Sequence, residues 1–159
     1  MLGVDKMKRK SKILLTIIIL LLVFLVTGVI CFKEGYKKYH IEQALLLELS
    51  DDVQVINYKR EMHLIAAKMQ ISKELFNEFS KELKDLGFRT SKELKADGYP
   101  IDYESDSEYL DINWWDFEAN QVIEYFYGFG GGRGARQSTT GIYIVKHDDD
   151  TLYVYFWND

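Results

Sequence analysis

The sequence predicts an α+β protein: one transmembrane helix near the N-terminus, then helices packed on a small antiparallel β-meander of about four strands. Three observations carry this. Residues 13–32 read ILLTIIILLLVFLVTGVICF, twenty residues without a charge. Residues 73–86 place apolar side chains at helical spacing. Beyond Tyr109 the pattern turns to period two and fills with β-branched and aromatic residues, the mark of strands.

The apolar run comes first. At about 1.5 Å per residue, a helix of this length crosses the roughly 30 Å hydrocarbon core of a bilayer. Such a helix satisfies its own backbone N–H and C=O groups, and Thr16 and Thr27 can return their hydroxyls to the preceding turn. Residues 1–12 hold five basic residues against one acidic. The positive-inside rule therefore predicts a cytoplasmic tail at 1–12, a span at 13–32 and everything after it outside. Lys33, Lys37 and Lys38 pull the other way, but the tail has more basic residues in fewer positions. A cleaved secretory signal is the rival. Its apolar region is usually about 7–15 residues and ends in small residues, whereas this run is longer and Val26-Thr27-Gly28 is a mediocre cleavage site. Bulky Ile30 before Cys31 does not suit lipoprotein processing.

From Lys33 to Leu49, Tyr36, Tyr39, Ile41, Leu45 and Leu49 keep a helical rhythm, which predicts a stalk over 33–50 and an extracytoplasmic domain over 51–159. Val55, Tyr58, Met62, Ile65 and Met69 repeat at i+3 and i+4, the face of an amphipathic helix; a short strand at Val53–Tyr58 is the alternative. Ser72 is an expected N-cap for a helix from Lys73 to Leu86, with Leu75, Phe76, Phe79, Leu83 and Leu86 inward. Gly87 and Phe88 suit a Schellman ending. Residues 89–107 are polar, with Asp97-Gly98 and Tyr99-Pro100 as turn signals. Strands are expected at Tyr109–Trp115, Gln121–Tyr127, Gly141–His147 and Thr151–Asn158. In the last, Leu152/Val154/Phe156 alternate with Tyr153/Tyr155/Trp157, so period alone does not choose the buried face. Helices first and strands after make an α+β plan.

Composition bounds function. Cys31 is the only cysteine, so the domain folds without disulfides, although an outside location permits them. Of 23 aromatic residues, 15 lie between Tyr99 and Trp157; the core must be aromatic. Residues 33–159 hold 15 Lys and Arg against 24 Asp and Glu. That acidity argues against nucleic acid and against a basic lipid-binding patch.

The stretch from Gly128 to Thr140 is the most unusual soluble segment. Glycines allow close backbone approach, and Arg133 and Arg136 can grip a carboxylate or phosphate. It is not a nucleotide loop: strands flank it, and Gly-Lys-Ser/Thr is missing. Arg133 and Arg136, with Phe129, Trp115 and Tyr127, form the expected partner-binding set. Trp114-Trp115 and Tyr125-Phe126-Tyr127 could form a platform for sugar or peptide stacking, but such residues are more often the core of a small sheet, since adjacent strand residues face opposite sides. His147-Asp148-Asp149-Asp150 reads as a turn rather than a metal site. His40 and His63 show no ligand spacing and read as surface or interface residues. No metal site and no cofactor is expected. The acids Asp97, Asp102, Glu104, Asp106, Glu108, Asp111, Asp116, Glu118 and Glu124 read as a solvated face; a catalytic pair among them is the rival. Neither Gly-x-Ser-x-Gly nor His-Glu-x-x-His occurs. Two functions follow: a membrane-anchored extracytoplasmic module with a protein partner, such as an immunity or accessory protein of a bacterial envelope, or an anchored hydrolase acting on an envelope polymer through paired carboxylates.

Overall fold

The computed structural model describes residues 2–61, 64–99, 110–130, 138–147 and 151–159. The chain divides into two units, Met1–Tyr36 and Lys37–Asp159.

The first unit is helical. Helix α1 runs from Leu2 to Leu45 and continues into the second unit. From Leu15 to Phe32 its side chains are exposed on every side. It is the one helix among the described residues long and apolar enough to cross a membrane. Thr27 donates its hydroxyl to the Val23 carbonyl, as a polar side chain in an apolar helix must.

The second unit is α+β, but its sheet has six strands rather than four. After α1 come β1 (Gln54–Glu61), β2 (Leu64–Ile71), α2 (Lys73–Asp85), β3 (Arg89–Thr90) and α3 (Ser91–Ala96). A 3-10 turn, Ala119–Gln121, leads to β4 (Val122–Gly130), β5 (Ser138–Lys146) and β6 (Leu152–Asn158). The order is β1-β2-β6-β5-β4-β3 with antiparallel pairing throughout. It is not a plain meander: β6 pairs with β2, which joins the two ends of the unit.

Three expectations are corrected. The helix expected through Val55, Ile65 and Met69 is the β1–β2 hairpin, with Met62 and His63 outside the described residues. Ala66, Ala67, Lys68 and Met69 are all buried, so β2 lacks the alternation that marks a half-exposed strand, and a buried strand is hard to tell from a helix by period. The strand expected at Tyr109–Trp115 does not form over its described part, 110–115. Asp111 there takes φ +46, a left-handed backbone that ends extended structure, and the Trp115 N–H donates to the Ile112 carbonyl at 3.5 Å. Leu86, expected inward, is 43% exposed.

Helix α2 ends as its sequence predicts. The Leu75 N–H donates to Ser72 Oγ at 3.3 Å. Past the C-terminus, Gly87 takes φ +88. Its N–H donates to the Lys84 carbonyl, and that of Phe88 donates to the Leu83 carbonyl, each at 2.9 Å. This is the Schellman bond pair, which needs a left-handed residue at Gly87.

Both faces of the sheet are covered. On one face Leu152, Val154 and Phe156 pack with Phe126, Ile142 and Ile144 against Phe79 and Leu83 of α2. Ile41, Ala44 and Leu45 of α1, with Leu49 after it, join the same core, so residues read as stalk contribute a layer of this unit. On the other face Tyr155 and Trp157 pack with Tyr125 and Tyr143 beneath Leu94, Leu110 and Trp115. Two strand glycines make room for rings. A Cβ on Gly141 collides with the Trp157 indole, and one on Gly128 comes within 2.8 Å of the Phe88 ring.

Candidate functional site

The expected partner-binding residues separate. Arg133 and Arg136 lie outside the described residues. The connector expected over 128–140 narrows to 131–137, because Gly128, Phe129 and Gly130 pair with Thr140, Thr139 and Ser138. Phe129 is 62% exposed on the end of β4. Trp115 is buried against Phe117, Tyr143 and Tyr155, and Tyr127 packs on the same core.

His40, His147 and most of the described acids are engaged locally. His40 is buried rather than on the surface, with Nε2 2.7 Å from Arg60 Nη1. Glu124 accepts from Ser91 Oγ at 2.5 Å, and Asp97 pairs with Arg89. Asp102, Glu104, Asp106, Glu108 and Asp148–Asp150 fall outside the described residues. No group of His, Cys, Asp and Glu among the described residues is arranged to hold a metal.

One polar cluster sits on the aromatic face of the sheet. Lys68 Nζ donates to Asp116 Oδ1 at 2.8 Å, and the Tyr155 hydroxyl donates to the same oxygen at 2.6 Å. His147 Nε2 lies 3.3 Å from the Tyr155 oxygen. The Lys68 ammonium also stands 4.8 and 5.0 Å from the centres of the Tyr153 and Tyr155 rings. Burial pushes the Asp116 carboxyl up, but the Lys68 and Tyr155 hydrogen bonds and the Lys68 charge outweigh it and hold it below the usual range. Burial, then the Asp116 bond and charge, push the Tyr155 hydroxyl far upward. At neutral pH the carboxylate is therefore ionised and the phenol protonated. Each is stabilised in that form, and the two hydrogen bonds make a clamp holding the 110–118 segment on the sheet.

The sign of its pH dependence follows. A lowered carboxyl contributes stability that is fully present above its unfolded value, near 3.8. That stability is lost as pH falls through the lower folded value. Asp116→Asn should lower the unfolding free energy by about 1 kcal/mol at pH 7. That is below the roughly 1.5–3 kcal/mol of a charged hydrogen bond, because the Asp116 side chain is 52% exposed and solvent screens it. Followed downward from pH 7 by thermal unfolding, the gap between the two proteins should begin to close as pH falls below about 3.8. A constant gap would refute the clamp.

The second feature is a groove of about 450 Å³, open to solvent. Helix α2 lends it one stripe, Leu75, Glu78, Phe79 and Glu82, spaced so that all four share a face. Glu48, Leu49 and Asp51 line it from the segment after α1, with Val53 and Ile71. Lys38 reaches in from the end of α1 and its ammonium meets Asp51 Oδ1 at 2.8 Å. That bond and charge hold the Asp51 carboxyl below its usual range. Glu48, Glu78 and Glu82 are exposed and make no ion pair among the described residues. The groove draws on separate stretches of chain, and no local motif announced it.

The chain matches no protein-family model, no curated protein and no solved structure.

Proposed function

We propose that this chain is a single-pass, membrane-anchored binding module. Residues 13–32 are the anchor, residues 1–12 stay in the cytoplasm, and Lys37–Asp159 meets a protein partner on the outer side. The observation that carries the reading is a change along α1. From Leu15 to Phe32 its apolar side chains are exposed; at Ile41, Ala44 and Leu45 they are buried in a packed unit. An apolar helix surface that long needs hydrocarbon around it. The groove and exposed Phe129 supply surface for a partner, and the Lys68–Asp116–Tyr155 cluster is stabilised as a clamp.

Topology is testable with epitopes at the two ends of the expressed chain. Protease added to intact spheroplasts should remove the C-terminal epitope and spare the N-terminal one. The mature protein should keep residues 13–32 by mass. Protection of the C-terminal epitope would reverse the orientation, and a soluble product starting near residue 29 would eliminate the anchor.

A further inference from the structure

We propose that His40 and Arg60 form an acid-sensitive latch between α1 and β1, closed while His40 is neutral and opened by its protonation. His40 is 8% exposed, in the stretch of α1 whose Ile41, Ala44 and Leu45 enter the first core. Its Nε2 lies 2.7 Å from Arg60 Nη1. A guanidinium stays charged at every physiological pH and accepts no hydrogen bond. Arg60 therefore donates, and Nε2 accepts. That fixes the tautomer: the ring is neutral, with its one proton on Nδ1. A second proton has to go on Nε2. It removes the acceptor and sets two cations against each other at a buried site.

The groups around the contact do not offset that charge. Arg60 and Tyr58 share one face of β1, since alternate residues of a strand point the same way, and Tyr58 packs on the core that holds Ile41. Ile65, opposite Arg60 on β2, is apolar. On α1 itself Lys37, one turn before His40, is a further cation, and the Tyr39 ring stands edge-on at 5.3 Å. Carboxylates near the pair in sequence are engaged elsewhere: Glu42 accepts from the Leu49 N–H, Asp51 pairs with Lys38, and Glu61 pairs with Lys59. Strand β1 is an edge strand, held from one side by β2, so the sheet can yield here.

The sign follows from linkage. The unfolded chain takes up a proton on His40 as pH falls through about 6.5, and the closed latch resists it. Its stability is fully present above that value and is lost as pH falls below it. The latch lies within the Lys37–Asp159 unit and depends neither on a partner nor on the side of a membrane that this unit faces.

The test follows thermal unfolding of the full chain in neutral detergent from about pH 8 to about pH 5, the range in which imidazoles titrate. Wild type should lose roughly 4 °C more than His40→Gln over that range, because a glutamine amide oxygen still accepts from Arg60 and does not titrate. His63→Gln and His147→Gln should keep the wild-type slope, which assigns the loss to His40. Parallel curves for wild type and His40→Gln would overturn the latch, and so would an equal flattening by either control. Nitrogen NMR of the histidine rings in the wild-type chain does not depend on the folding of His40→Gln. At neutral pH the His40 ring should show an unprotonated Nε2. Arg60→Met, which removes the opposing charge, should let that ring take up its proton at higher pH. A protonated Nε2 at neutral pH, or a titration unmoved by Arg60→Met, would equally overturn the proposal.

Discussion

Trp115→Ala should lower the unfolding free energy by about 3–5 kcal/mol, while Trp114→Ala should cost less than about 1 kcal/mol. Trp115 is 8% exposed. Its ring meets Tyr155 edge-on at 5.3 Å and Tyr143 at 5.8 Å, with Phe117 at 5.7 Å. Removing it opens a cavity in the second core, and its neighbours cannot close it, because the two tyrosines are fixed to the sheet on β5 and β6. Trp114 is only partly buried and its ring meets Trp115 at 6.0 Å. Domains are commonly stable by about 5–15 kcal/mol, so the larger loss removes a large share. Trp115→Phe should lie between. It keeps much of the ring contact and deletes an indole N–H that is buried without a hydrogen-bond partner among the described residues. Urea unfolding of the three variants decides the matter. Equal large losses at 114 and 115 would mean that the 110–118 segment is held by both rings alike.

The inequality between the two tryptophans was legible from the sequence, but for another reason. Adjacent strand residues face opposite ways, and no strand forms over 110–115. A turn around Asp111, at φ +46, still sends Trp115 inward. Local signals read well wherever local physics decides. Ser72, Gly87 and Phe88 mark the ends of α2 because caps are made within a few residues. The aromatic and β-branched runs of β4, β5 and β6 mark strands for the same reason. What the sequence hid depends on pairing at a distance. β2 is buried on both faces, so its alternation vanishes. β6 shows two apolar faces because two layers cover it, α1 and α2 on one side and the Trp115 segment on the other. Lys68 finds Asp116 forty-eight positions away, and the groove joins Lys38 and Asp51 to a stripe of α2. Neither arrangement has a spacing that a reader of the chain can recognise.

Placing arginine at both Leu20 and Phe24 should abolish stable membrane retention while leaving the domain's unfolding temperature unchanged. Both side chains are exposed near the middle of the apolar stretch, Phe24 by 77%. An arginine at the centre of a spanning helix costs about 2.5–3.5 kcal/mol on insertion scales. Two together cost roughly 6 kcal/mol, which is about a 10⁴-fold change in partition. Snorkelling offers little relief so far from both ends. The domain should not notice, because neither of its cores contains a residue from 15–32. The measurement is the membrane-bound fraction after a carbonate wash, together with thermal unfolding of the chain in detergent. An unchanged bound fraction would mean that something other than this helix holds the chain to the bilayer. A lowered unfolding temperature would mean that the helix belongs to the domain's fold rather than to a membrane. A leader sequence also loses function when charged, so the wild-type chain supplies the separating result. If residues 13–32 remain in the wild-type membrane-bound product, they are its anchor; if they are gone, they served only as an address.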